Sequence, residues 1–121
     1  MLLIDAANVV GSRPDGWWRD RAGAAGRLVS RVRAAVTAGA VTAPVVVVLE
    51  GAAQQGASED DADGVRVLHA PGSGDDTLTA VAASATEPVV LVSADRALAD
   101  RCRAVGAAVV SPTWLLDRLE S

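Results

Sequence analysis

Pro44-Val45-Val46-Val47-Val48-Leu49 is the stretch on which the fold turns. Four β-branched residues and a leucine in succession are stiff at χ1 and fit a pleated, extended backbone. No polar residue alternates with them, so neither face of the strand meets water. Strands buried on both faces belong to parallel sheets covered by helices on each side. Pro44 suits a first strand position, where its missing N–H disturbs the ladder least. Working outward, Leu2-Leu3-Ile4, Val65-Arg66-Val67-Leu68, Val89-Val90-Leu91-Val92 and Ala107-Ala108-Val109-Val110 read as four further strands. Helical spacing fills the intervals. Trp18, Ala25, Val29, Val32 and Val36 share one face with Leu28 and Ala35, and Gly39 marks a stop. A helix from about Asp75 buries Leu78, Val81, Ala82 and Ala85, and one across 94–104 buries Leu98, Cys102 and Val105. Ser111-Pro112 opens a last helix carrying Trp114, Leu115 and Leu119, with proline at a favoured first position. Alternating strands and helices predict an α/β fold: one domain over residues 1–121, a mainly parallel sheet of about five strands, right-handed crossovers, and helices on both faces. Residues 51–64, rich in Gly, Gln and acids, read as an exposed loop.

The chain has 121 residues, half of them hydrophobic, enough for one packed core without staples. With no Phe or Tyr and three Trp, that core depends on close packing of small Ala, Val and Leu side chains. The single Cys102 cannot form an internal disulfide, which fits a reducing cytoplasm. Asp5 interrupts the opening apolar run, so no secretory signal is expected, and Val45–Leu49 is far too short to span a membrane. A cytoplasmic protein with no membrane partner is the expectation. A net charge of −4 argues against coating nucleic acid by charge alone. The distribution is uneven: Arg13 to Arg33 holds six Arg against two Asp, whereas 58–64 holds Glu59, Asp60, Asp61 and Asp63. Every basic residue is Arg. Arg suits bidentate phosphate contacts, but a GC-rich genome produces the same bias and is the weightier explanation.

Acidic turns follow three of the strands. Asp5 ends the first, with Asn8 three residues on; Gly74-Asp75-Asp76 comes after the third; Ser93-Ala94-Asp95-Arg96 leaves the fourth. In an open parallel sheet, ligands bind outside the carboxyl ends of the strands. Three carboxylates at such ends can therefore converge into a hard-cation site. Each turn also has a structural reading. Ser73 to Asp76 has capping-box spacing, Ser93 can cap a helix with Asp95 in its first turn, and Asp5 with Asn8 can form a side-chain turn. Asp5 weighs most, because no capping role is evident at the end of a buried strand. Trp17 precedes the helical stripe and can stack on a base; Trp18 belongs to the stripe and reads as core. Gly72-Ser73-Gly74 lacks the third glycine of a dinucleotide fingerprint, and the sole His69 reads as a strand cap rather than part of a triad.

Leu3-Ile4-Asp5-Ala6-Ala7-Asn8-Val9-Val10, Gly74-Asp75-Asp76-Thr77-Leu78 and Val92-Ser93-Ala94-Asp95-Arg96-Ala97-Leu98 together resemble the NYN/PIN-like nuclease superfamily, in the manner of its small bacterial members. The resemblance runs from Leu2 to about Val110 and implies a PIN-like three-layer fold and a Mg²⁺- or Mn²⁺-dependent nuclease, usually acting on RNA; single-stranded RNA is the expected partner here. It implies Asp5, Asp76 and Asp95 as the core carboxylates with Asp75 close behind, and Asn8 orienting the first carboxylate or a phosphate. Arg96, beside the third acid, and Arg13, in the loop after the first motif, are the candidate phosphate contacts, both also reading as solvated surface and Arg13 the more so, with Ser93 and Trp17 on the substrate side. Many relatives carry a further acid where this chain has Ala97. Two rivals therefore stay open: a catalytically silent PIN-like module that binds RNA or protein, and a metal-dependent nucleotide phosphohydrolase. A homo-oligomer stays open as well.

Overall fold

The computed structural model describes residues 1–120. Its strands and α-helices are β1 Leu2–Asp5, α1 Ala6–Gly11, α2 Arg21–Ala38, β2 Val45–Leu49, β3 Asp60–Ala62, β4 Val65–His69, α3 Gly74–Ser84, β5 Val90–Val92, α4 Arg96–Ala104, β6 Ala108–Val110 and α5 Pro112–Leu119. One sheet runs in the order β3-β4-β2-β1-β5-β6, and only the β3–β4 pair is antiparallel. The valine run forms β2, flanked by β1 and β4, and all five of its residues are buried.

Side-chain alternation along the central strands divides the core in two. Ile4, Val45, Val47 and Leu49 join Ala25, Val29 and Val32 of α2 and Leu115 of α5 on one face. Leu3, Val46, Val48 and Leu91 join Leu78 of α3 and Leu98 and Cys102 of α4 on the other. The result is the expected three layers.

Three local readings change, one of them Val105, expected in the core with α4 but 44% exposed beyond its end. The first helix of the stripe starts at Arg21, capped by Asp20, whose carboxylate accepts the Gly23 N–H at 2.8 Å. Trp17–Arg19 forms a separate 3₁₀ turn that leaves Trp18 52% exposed rather than in the core. Gly39 ends α2 as expected, in the left-handed region at φ +81°.

Residues 51–64 are more structured than an open loop. Gly51–Gly56 is 3₁₀, and it lies so close to α2 that a Cβ on Gly56 would come within 2.0 Å of the Ala22 carbonyl oxygen. Asp60–Ala62 adds the sixth, edge strand, tied to α2 by an Arg33–Asp60 ion pair. Asp63 and Gly64 turn the chain back into β4 with φ of 56° and 80°. That is the Asp-Gly chemistry of a two-residue hairpin.

Candidate functional site

The strand order puts β1 beside β5, in register Ile4↔Val92, so Asp5 and Ser93 leave the sheet side by side. Asp5 is 7% exposed and N-caps α1, its Oδ1 accepting the Asn8 N–H at 3.3 Å. A capping role therefore exists where the sequence showed none, because a helix starts at once after β1. The Ser93 hydroxyl donates to Asp5 Oδ2 at 2.9 Å and accepts the Asp95 N–H at 3.1 Å. Asn8 Oδ1 accepts the Ala94 N–H at 2.7 Å. Asp95 caps α4 through the Leu98 N–H at 3.1 Å. Asp5, Asn8, Ser93 and Asp95 thus form one hydrogen-bonded unit joining the starts of α1 and α4.

The second half of the site comes from β2 and α3. Glu50 follows the end of β2, and its Oε2 accepts the Gly74 N–H at 2.8 Å, holding the start of α3 against the sheet edge. Ser73 caps α3 by accepting the Asp75 N–H at 3.2 Å. Glu50 was missed in the sequence. Its signal was the same as that of Asp5, an acid immediately after a buried strand, but the Gly-rich segment that follows masked it.

These groups act on one another electrically. Burial raises the Asp5 carboxyl to about 6, against the lowering effect of its Ser93 and Asn8 hydrogen bonds, and the charges of Asp75 and Glu50 push it further up. Asp75 is also raised, first by desolvation and then by Asp95 and Glu50, with Arg101 working the other way. The acids that share this field are Asp5, Glu50, Asp75 and Asp95, and Asp76 adds a smaller push on Asp75.

Asp76 stands elsewhere. Its exposed carboxylate pairs with Arg101 of α4 at 3.0 Å, so of the two adjacent acids it is Asp75 that bears on Asp5. Among the described residues, no three Asp, Glu, His or Cys side chains stand close enough to hold an ion as placed. The expected convergence of Asp5, Asp76 and Asp95 on one cation is therefore not what the geometry presents. Asp5, Glu50, Asp75 and Asp95 still offer hard oxygen donors of the kind Mg²⁺ prefers, and that ion keeps several waters and needs only one or two carboxylates.

Arg96 lies exposed in the first turn of α4, beside Asp95, and makes no ion pair with a described residue. Arg13 is instead engaged by Glu120 at 2.6 Å. Trp17 is half-buried in the wall of a cleft that also reaches Ala6 and Glu50. His69 donates its Nε2–H to the Ala57 carbonyl at 2.7 Å, a structural contact. Among the described residues, no helix is long and apolar enough to cross a membrane.

No protein-family model matches the sequence, and no curated protein sequence matches it. Among solved structures the chain is similar to Rae1 (YacP) from Bacillus subtilis, with a TM-score of 0.76 at 17% identity over 99% of this chain and 73% of that one. A tryptophan-to-leucine mutant of Rae1 gives 0.71 at 18% identity, over 98% and 73%. The likeness fits a PIN-like fold.

Proposed function

We propose that the protein is a Mg²⁺- or Mn²⁺-dependent ribonuclease whose metal site is drawn from Asp5, Glu50, Asp75 and Asp95. The observation that carries this reading is the buried Asp5 at the end of the central β1, where the charges bearing most on it are both acidic. Capping alone needs no such cluster, since Ser or Asn caps a helix as well as Asp. Like charges gathered in a partly desolvated edge cost stability unless a cation compensates them. When bound, the metal supplies a hydroxide near neutral pH and neutralises charge on the phosphate.

The chain's own groups fix the rest. Ser93 points its proton at Asp5 Oδ2 while its oxygen is held by the Asp95 N–H, so the first carboxylate is locked in one orientation. Asn8 spends its carbonyl oxygen on Ala94, which leaves its amide N–H donors for a phosphate oxygen. Arg96, which makes no ion pair among the described residues and stands beside Asp95, is suited to a second phosphate oxygen.

A silent RNA- or protein-binding module is favoured by Ala97 and by the absence of three ligating side chains in coordinating range among the described residues. Labelled single-stranded RNA, single-stranded DNA and free nucleotides, each incubated with Mn²⁺ or with EDTA, decide between the readings. RNA cleavage that needs Mn²⁺ and is lost in Asp5→Asn supports the ribonuclease. Intact RNA with active nucleotide hydrolysis, or no reaction at all, moves the assignment to the phosphohydrolase or the silent module.

A further inference from the structure

Apart from Glu50, the cleft beside the acidic edge is built from side chains that hydrolysis leaves unused. It encloses about 420 Å³ between Ala6, Ala25, Ala53 and Gly72, with Trp17 and Arg21 in the same walls. Glu50 lines it too, so cleft and carboxylates share a boundary. Its volume is at the small end of ligand sites, which suits one nucleotide unit and excludes a duplex. The Arg21 guanidinium lies 5.3 Å from the centroid of the Trp17 ring, and Trp18 meets that ring edge-on at 6.1 Å and 89°. An indole in an apolar slot offers a stacking surface to any base. A guanidinium at the same slot offers a fork to the attached phosphate.

The positive charge continues past the cleft. Val10 lines both this cleft and an adjoining groove that carries Arg13, Arg27 and Arg31. Arg27 and Arg31 are four residues apart on α2 and therefore lie on one helix face. Glu120 engages Arg13 at 2.6 Å and reaches Arg31 at 4.0 Å, while Arg27 makes no ion pair with a described residue. An apolar slot with arginines on one side, and on the other acids that the proposed cation would neutralise, is complementary to a nucleotide flanked by two phosphates.

We infer that the cleft is a nucleobase subsite: one unpaired base enters beside Trp17, with the phosphate on one side at the carboxylates and the next toward Arg21 and Arg27. The identity of the substrate rests on the ribonuclease reading; the subsite itself does not. A base that must leave its stack to enter makes unpaired RNA the substrate and paired RNA resistant.

Fluorescence anisotropy in EDTA tests the subsite without cleavage, using a short single-stranded RNA and an abasic oligonucleotide of equal length and charge. Wild type should prefer the intact strand by about 5- to 150-fold, the range an aromatic platform contributes. Trp17→Ala should remove most of that preference and Trp17→Phe should keep most of it. Ala52→Leu supplies a second route, because Ala52 is exposed and lines the cleft, so added bulk blocks the slot without entering the core. Equal affinity of wild type for both strands, or a preference that survives both Trp17→Ala and Ala52→Leu, overturns the subsite. Base preference with no Mn²⁺-dependent cleavage retires the nuclease and keeps the subsite, and cleavage with no base preference does the reverse.

Discussion

Asp5 carries an electrostatic cost that pH exposes. Its carboxyl is raised to about 6 in the folded protein against 3.8 for the free group, chiefly by burial. The folded state therefore holds a proton that the unfolded chain has already released, and stability falls as pH rises from about 4 to about 6. A gap of that size corresponds to about 3 kcal/mol, fully lost above pH 6. Asp5→Asn removes the charge and keeps a capping oxygen. In EDTA the variant should be more stable than wild type at pH 7, by up to about 3 kcal/mol, and the gain should vanish near pH 4. Urea titrations at the two pH values measure it; a variant weakened equally at both would make Asp5 a structural cap and nothing more. The sequence made Asp5 conspicuous because an acid closed an apolar strand. The same logic extends to Glu50, but the acid there precedes Gly51-Ala52-Ala53 and so reads as the start of a loop. On sequence grounds the resemblance ranks Asp76 ahead of the adjacent Asp75. Only the direction of α3 decides that Asp76 meets Arg101 while Asp75 bears on Asp5.

At the level of elements, β2 is legible as an unbroken β-branched run and the stripe of α2 by its helical spacing. The segment between β2 and β4 was not. Its 3₁₀ turn has no apolar period, and β3 is an exposed strand of Asp60, Asp61 and Ala62 whose pairing depends on β4. Trp18 was assigned to the stripe by spacing, but Asp20 caps α2 two residues later and leaves the indole outside. Tight contact replaces periodicity as the organising feature here. A Cβ at Gly56 would lie 2.0 Å from the Ala22 carbonyl and 2.9 Å from the Gly26 nitrogen, both backbone atoms that cannot rotate away. Gly56→Ala should therefore destabilise the protein by about 1–3 kcal/mol or more, as overpacking does. Gly72→Ala meets nothing within 4 Å and should stay within about 0.5 kcal/mol of wild type. Denaturant midpoints of the two variants check the contrast, and equal midpoints would mean that the 3₁₀ turn does not rest on α2 in solution.

Across the whole molecule, strand order converts separate turns into one edge. The sequence predicted strands, helices and parallel crossovers, but no local pattern says that β1 lies between β2 and β5. That placement brings Glu50, Asp5 and Ser93 to neighbouring strand ends, and the helices that follow on the other face bring Asp75 and Asp95. If this edge holds a cation, the ion binds only the folded state and must raise its melting temperature. At a hundred times the dissociation constant the gain is about 2.7 kcal/mol, which for a domain of this size is a shift of about 10 °C. Mn²⁺ or Mg²⁺ should produce such a shift in wild type at pH 7. The shift should shrink as pH falls through about 6, because a protonated Asp5 is no longer a ligand. Asp5→Asn and Asp75→Asn should lose most of it, and Glu50→Gln part of it, since glutamine still accepts from Gly74. Asp76→Asn is the discriminating variant. Its carboxylate is exposed and paired with Arg101, a surface bridge worth about 0–1 kcal/mol, so the metal response should survive intact. Melting curves with EDTA and with each ion resolve the set. A response abolished by Asp76→Asn but kept by Asp75→Asn would return Asp76 to the ligand set and remove Asp75, and a wild type indifferent to both ions would leave the edge without a metal.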